Sequence, residues 1–386
     1  MRVLYLSADP GVPILGHKGA SVHVRELASA MAVAGATVTV VSPRIGAEGD
    51  VLSAPIELVS IEPVLPREHA DASSLLGAVA RQAAQIRRIG ERFGADAVYE
   101  RFSLFSDGGV KAARALGIPH VLEVNAPLRE EALRYRTLPH ASLAATIERR
   151  VFAATDRVFV ISRTLARLLE AAGVAAGRIE VAPNAIDPTK FPIRVRSSEG
   201  PFTIGLAGSL KPWHGVEVLV EAFRCALGEV PSLRLEIVGD GPVRAAVEHL
   251  GDLPAERFAY HGALSHAGTL RLLSRWDVGA APFLAVPDFY FSPLKLVEYM
   301  AAGLCPVASD QPEIRELLGA SERGVLVPPG DAGALAQALV ELARNPERTA
   351  AIGLRAREYV LKERSWSRNA ERALAAPRGR RAELVA

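Results

Sequence analysis

Lys295 and Glu298 are the residues of this chain best spaced to do chemistry together. They sit in Tyr290-Phe-Ser-Pro-Leu-Lys-Leu-Val-Glu-Tyr-Met-Ala-Ala-Gly303, which reads as a short apolar helix. Ser292 suits an N-cap, Pro293 the first helical position and Gly303 a helix stop. The first N–H groups of any helix have no partner inside it. At Leu294 and Lys295 those groups and the helix dipole together favour an anion, and the lysine adds a full positive charge. Glu298, one turn on, shares their face. An anion socket with a carboxylate one turn deeper suits a nucleotide diphosphate. The turn takes the phosphates, and the carboxylate accepts from ribose hydroxyls. The same residues also fit a capped core helix with a Lys295–Glu298 ion pair.

Such a socket needs a scaffold, and the chain supplies one twice. Arg2–Leu6 reads as a buried strand, followed by a long loop rich in glycine and proline, a helix over Ala20–Ala34 and a second strand over Thr37–Val41. That βαβ opening predicts a parallel sheet. Open sheets of this kind bind ligands beyond the carboxyl ends of their strands. There the loop carries Gly16-His-Lys-Gly-Ala-Ser-Val-His23, with Gly19 and His23 as candidates to line a cleft. His23 fits a packed helix residue better than a base. Further strands are expected at Ile56–Ile61, Ala97–Glu100, His120–Val124, Arg157–Ile161 and Ile179–Val181. Arg101 follows one of these ends; Glu123 and Asn125 mark another, with Glu130 just beyond. Arg81, Arg87, Arg88 and Arg92 make the helix over Leu75–Phe93 basic, which reads as a solvated face before a docking surface.

Turn residues at Pro183-Asn-Ala-Ile-Asp-Pro188 precede a linker over Phe191–Gly200. The pattern then restarts: a strand over Thr203–Ala207, the loop Gly208-Ser-Leu-Lys-Pro-Trp-His-Gly215, and a helix from Val216. Lys211 in that loop is a second candidate phosphate contact. Strands over Leu233–Val238, Phe258–Tyr260, Val278–Ala281 and from Cys305 follow, then a helix between Gly330 and Asn345 and a last one starting near Trp366. The expected organisation is α/β, two domains in tandem with a loop-rich rim on each and a small ligand where the rims face each other.

Bulk composition narrows the function classes. With 45 basic and 43 acidic residues in 386, bulk charge gives no support for a nucleic-acid binder. Cys225 and Cys305 both lie in apolar runs and are expected as buried free thiols in a reducing compartment. The opening Met1-Arg-Val-Leu-Tyr-Leu-Ser is too short for a signal peptide, and no apolar run reaches transmembrane length. The expected location is the cytoplasm, at most peripheral at the inner face of a membrane. No His/Cys or Asp-x-Asp metal cluster, no dinucleotide fingerprint and no Gly-x-Ser-x-Gly stands out.

Taken in order, the motifs resemble glycosyltransferase family 4, the retaining GT-B enzymes, over nearly the whole chain. The resemblance is carried by Gly-Ala-Ser-Val-His, Pro-Asn-Ala-Ile-Asp, Ala-Gly-Ser-Leu-Lys-Pro-Trp-His-Gly, Val-Gly-Asp-Gly, His-Gly and Ser-Pro-Leu-Lys-Leu-Val-Glu-Tyr-Met-Ala-Ala-Gly. It is greatest to the branch with Trp-His-Gly and Pro-Leu-Lys-Leu. The resemblance implies two doubly wound Rossmann-like domains facing a central cleft: an acceptor side over 1–195, a nucleotide-sugar side over 200–362, and a last helix over 363–377 returning to the first. It implies that Glu298 holds ribose hydroxyls, that the backbone at Leu294 and Lys295 meets the diphosphate, and that Ser292 and Pro293 belong to the same donor site. Lys295 and Lys211 would supply charge beside Gly208 and Ser209. Gly241 and His261 would lie near the base or ribose. Gly19, His23, Arg101, Glu123, Asn125 and Glu130 would line the acceptor side. The implied partners are a nucleotide-sugar donor and a hydroxyl acceptor, lipid-linked or growing glycans included, with no cofactor, metal or nucleic acid.

The chain departs from the family at several positions. The earlier member of the family's glutamate pair falls at Tyr290, the phosphate-loop arginine at Ser209, the usual Asn-Gly turn at Asn184-Ala185, and a common strand-end histidine at Asn125. Those departures leave two rival readings open: an epimerase or hydrolase of nucleotide sugars, and a catalytically silent sugar-nucleotide-binding subunit.

Overall fold

The structure is a computed structural model that describes residues 1–16, 18–46, 52–66, 71–191, 200–248, 250 and 252–385. Most of the predicted linker, and His17 of the first loop, lie outside the described residues. The chain divides into two compact units. One comprises Met1–Gly16, Ala20–Pro183 and the segment from Trp366 onward; the other comprises Asn184–Ser365, with Lys18 and Gly19.

The first unit is built on β1 (Arg2–Ser7), β2 (Thr37–Ser42), β3 (Glu57–Ser60), β4 (Ala97–Arg101), β5 (His120–Val124), β6 (Arg157–Val160) and β7 (Ile179–Val181). They form one seven-stranded sheet in the order β3-β2-β1-β4-β5-β6-β7. Every pair is parallel, with Leu4 of β1 opposite Thr39 on one side and Val98 on the other. The chain winds outward from β1 to β3, then returns to pair β4 on the far side of β1. That reversal puts a switch point between β1 and β4.

The second unit repeats the scheme with β8 (Thr203–Ala207), β9 (Arg234–Val238), β10 (Phe258–Tyr260), β11 (Val278–Ala281), β12 (Cys305–Ser309) and β13 (Val325–Val327). Its six-stranded sheet runs β10-β9-β8-β11-β12-β13, all parallel, with the switch between β8 and β11. Both β8 and β12 are buried along their whole length. Parallel strands covered by helices on both faces read as continuous apolar runs, which is why the sequence shows them clearly.

One face of this sheet packs Ile204, Leu206, Leu235 and Ile237 under the helices Val216–Glu229 and Ala332–Arg344. The other packs Ala207, Val238 and Ala281 against Trp276 and the helix Leu294–Ala301. Small residues make that second face possible. A Cβ on Gly205 would stand 1.9 Å from the Trp276 indole, and one on Gly279 would stand 2.3 Å from the Tyr299 ring. Gly205→Ala is therefore expected to lower stability by about 1–3 kcal/mol, since overpacking displaces a buried side chain. A thermal melt reads this directly, and an unchanged midpoint would contradict the packing.

Several elements escaped sequence reading. They are β13 and the helices Leu128–Tyr135, His266–Leu273, Pro312–Leu318 and Pro346–Glu363. One expectation is corrected: Cys305 is buried, but Cys225 is exposed. Its helix buries Ala222, Phe223 and Ala226, so the cysteine falls on the outer face. The apolar run around it was half helix surface, not all core. The basic helix, observed over Ala72–Phe93, pairs Arg81 with Glu62 and Arg87 with Glu91 on partly exposed side chains, as a solvated face does.

Candidate functional site

In the second unit the loops after β8 and β11 flank the switch point, and the helix Leu294–Ala301 begins there. The predicted cap is corrected. The helix starts at Leu294, Pro293 takes the cap position, and no side chain caps the end. The Ser292 hydroxyl is engaged elsewhere: it accepts the Asn184 N–H at 3.0 Å, while Asn184 Nδ2 donates to the Ser292 carbonyl at 2.5 Å. At the other end, Gly303 adopts φ 78° and donates to the Met300 carbonyl, while Leu304 donates to Tyr299, which closes the helix. The first turn thus keeps an open, positively polarised end.

Lys295 rises from that turn, half-buried. Its Nζ lies 3.5 Å from His214 Nδ1 and 5.4 Å from the centre of the Phe283 ring. It passes across Gly208 in the space a side chain would fill: a Cβ there would stand 3.4 Å from Nζ. Burial pushes the ammonium down to about 8, against the pull of Glu298. Glu298 does not stand alone, because His266 Nε2 lies 2.7 Å from its Oε1. His266 opens a helix whose N-cap, Ser265, accepts from the Gly268 N–H.

Glycines bring the neighbouring strand ends together. Gly239, at φ 134°, would put a Cβ 1.9 Å from the Gly208 carbonyl, and Gly241 would put one 2.4 Å from that of Leu210. Gly241 is thus needed for loop-on-loop packing in its own right. Ser209 is exposed beside Gly208, and its carbonyl lies 2.5 Å from His214 Nδ1. Lys211 is half-exposed, its Nζ 5.7 Å from the Trp213 ring centre. His261 Nε2 is buried 3.4 Å from Glu236 without a hydrogen bond to it, while Glu236 accepts from Trp276 and Arg234. So Gly208, Ser209, Leu294, Lys295 and Glu298 gather around one helix end, while His261 lies beside Glu236 with its Nε2 unpartnered. Sequence reading missed His214 and His266. His214 was visible only as part of Trp-His-Gly, and nothing local links His266 to Glu298, since a fold contact alone joins them.

In the first unit a buried cluster stands at the ends of β1, β4 and β5. Glu123 accepts from His23 at 2.5 Å and from the Tyr5 hydroxyl at 3.5 Å, with Arg101 at 3.9 Å. Burial alone would push this carboxyl up, but His23 and Arg101 hold it below the usual range. Burial and the same carboxylate push both Tyr5 and Tyr99 well up, so both stay protonated. The His23 ring also packs edge-on against Trp366 at 4.7 Å. Arg101 donates to the Asn125 side-chain oxygen, which leaves the Asn125 amide nitrogen buried and unpartnered. Glu130 is not in this cluster: it is largely exposed and paired with Arg129. Gly19 begins its helix with open space where a side chain would go. The helix from Trp366 is tied to this unit by Asn369 donating to the Pro183 carbonyl and Arg372 pairing with Glu180.

Among the described residues no group of three or more His, Cys, Asp or Glu side chains could hold a metal ion. No described helix is long and apolar enough to cross a membrane.

Comparison with known proteins places these two units. The model described as Glycosyltransferase Family 4 matches residues 17–190, and that described as Glycosyl transferases group 1 matches 201–345. The chain is 30% identical over 258 residues to a phosphatidyl-myo-inositol mannosyltransferase of Mycolicibacterium smegmatis, covering 62% of this chain and 66% of that one. Across the first curated relatives the matched share of the relative runs from 20% to 66%. Among solved structures, sucrose-phosphate synthase of Thermosynechococcus elongatus superposes with a TM-score of 0.75 at 19% identity over 99% of each chain. HepE of Anabaena, solved with UDP and glucose, gives 0.73 at 18% identity over 97% of this chain and 98% of that one. At such identity the likeness speaks for the fold, two parallel α/β units of the GT-B type. With both halves matched in order by family models, the chain belongs to the family-4 glycosyltransferases.

Proposed function

We propose that this protein transfers a hexosyl unit from a nucleotide diphosphate sugar to a hydroxyl acceptor, with retention at the anomeric carbon and without a divalent metal. The observation that carries the reading is the uncapped first turn at Leu294, with the Lys295 ammonium held beside Gly208. In the proposed step the bond from the anomeric carbon to the phosphate oxygen breaks and its electron pair leaves with the diphosphate. The acceptor oxygen bonds to the same face of that carbon, and its proton passes to the departing phosphate. The helix end, Lys295 and Lys211 stabilise the charge that develops, with no reorganisation at the moment of reaction. Glu298 accepts from the ribose hydroxyls, held in place by His266.

The relatives support the substrate classes. HepE was solved with UDP and with UDP-glucose, and the mycobacterial relative is a mannosyltransferase named for an inositol lipid. The acceptor is assigned to the first unit, where Arg101, Glu123 and Asn125 gather at the strand ends. A glycan or lipid-linked acceptor would put the enzyme in the cytoplasm, peripheral to the inner membrane face.

A thermal-shift panel of UDP, GDP, ADP and dTDP sugars tests the donor class. Ligand at about a hundred times Kd stabilises by about 3 kcal/mol, easily read as a raised midpoint. Glu298→Ala is expected to abolish the shift given by the preferred donor. An undiminished shift in that variant would remove Glu298 from the site. The anomeric configuration of the product, read by NMR, checks retention.

A further inference from the structure

We propose that His214 is a positioning residue for the donor diphosphate: its Nδ1–H pins the Ser209 carbonyl and so fixes the turn after β8 beneath the Lys295 ammonium. The inference rests on the phosphate-socket reading above and assigns a role within that socket to a side chain which contacts no reacting atom.

The turn is anchored at its ends by backbone. Gly208 donates to the Val238 carbonyl, Leu210 to that of Asp240, and His214 to that of Lys211. Gly215, at φ 66°, passes so close to the Pro282 carbonyl that a Cβ would stand 1.7 Å from it, which fixes where the loop re-enters the fold. Between these anchors the Ser209 carbonyl accepts from two donors, the Lys211 N–H at 3.1 Å and the imidazole at 2.5 Å, and the imidazole is its only side-chain partner among the described residues. A carbonyl only accepts, so Nδ1 carries the hydrogen. The ring is wedged edge-on between Phe283 at 5.3 Å and Trp213 at 6.1 Å, which leaves it little freedom to leave the contact.

The charges around the ring explain why an imidazole suits this position. Lys295 faces it from the helix at 3.5 Å, Lys211 from its own loop, and Glu298 acts on Lys295 from one turn deeper. A third cation here would repel the two that receive the diphosphate. Burial, then the two lysines, hold His214 at about 3, against the pull of the Ser209 carbonyl, so the ring stays neutral at neutral pH. It is a hydrogen-bond donor that adds no charge.

Two substitutions separate positioning from packing. His214→Asn puts an amide N–H close to where Nδ1 stands but loses the ring; His214→Phe keeps the ring and loses the donor. Inorganic pyrophosphate, which needs no knowledge of base or sugar, is titrated calorimetrically against the full chain, with thermal midpoints confirming that each variant is folded. Positioning predicts that His214→Asn binds within about threefold of wild type and that His214→Phe weakens binding about tenfold, the scale of one lost hydrogen bond. Phenylalanine binding as well as or better than asparagine would overturn the proposal. Lys295→Ala in the same titration tells the two readings apart. If it weakens binding while His214→Phe does not, only the role of His214 fails. If it binds like wild type, or if wild type itself binds no pyrophosphate, the socket reading fails and this inference with it.

Discussion

Lys295→Ala is expected to lower kcat/KM for the preferred donor by about 10²-fold or more, the cost of removing one preorganised group that meets developing negative charge. The lysine is well placed for that effect. It rises from the first turn of the helix Leu294–Ala301, which no side chain caps, and it crosses Gly208 just past the end of β8. Steady-state kinetics with the best donor of the thermal-shift panel provides the check. A variant within threefold of wild type would mean that the charge is met elsewhere, with Lys211 the first candidate.

The same lysine gives a signed pH dependence. Burial lowers it from its ordinary 10.5 to about 8 in the folded chain. Between those values the unfolded chain holds the proton and the folded chain does not. Stability of the ligand-free protein therefore rises with pH across that window. Affinity for a diphosphate moves the other way, falling as Lys295 loses its charge above about pH 8. In Lys295→Ala both slopes should flatten. A wild-type binding profile that is level from pH 7 to about 10 would contradict an essential Lys295 cation.

The second large effect is on stability, in the first unit. Glu123→Ala is expected to cost about 3–5 kcal/mol, because it leaves buried His23 and half-buried Arg101 without their carboxylate partner. Tyr5 would lose its acceptor as well. Glu123→Gln keeps the shape and an acceptor oxygen and should cost less. Denaturant melts of both variants read the difference. The native carboxyl is held below its ordinary range, so the stability it contributes is present above its unfolded pKa and lost as pH falls through its folded value. Acid titration of the wild type should expose that loss, and Glu123→Gln should lack it. If Glu123→Ala melts at the wild-type denaturant concentration, the cluster is not the support it appears from its geometry. Because Arg101 also donates to the Asn125 side-chain oxygen, loss of Glu123 should also disturb where the Asn125 amide is held.

What the sequence determined by itself follows from short-range physics. Fully buried parallel strands such as Thr203–Ala207 and Cys305–Ser309 announce themselves as apolar runs, and glycines such as Gly303 mark where helices stop. Alternation of strand and helix then makes two parallel sheets the natural outcome, and the motif order identifies the family. Lys295 and Glu298 were legible for the same reason: helical periodicity places them on one face whatever surrounds them.

Tertiary structure decided what each side chain does with its neighbours. Ser292 reads as a cap from local rules, yet Asn184 claims its hydroxyl, and the helix end is left open as a result. The Lys295–Glu298 pair that spacing allows gives way to Glu298 with His266 and Lys295 beside His214. Glu123 stands near the end of β5 and His23 on the helix after β1, so the two, far apart in sequence, meet only because β1 and β5 flank β4 in one sheet. Such contacts depend on which loops a sheet brings side by side, and pairing across that distance leaves no periodic trace in the chain. The sequence therefore sets the elements and the charges available, and the packing of strand ends sets which of those charges is compensated and which stays open to a ligand.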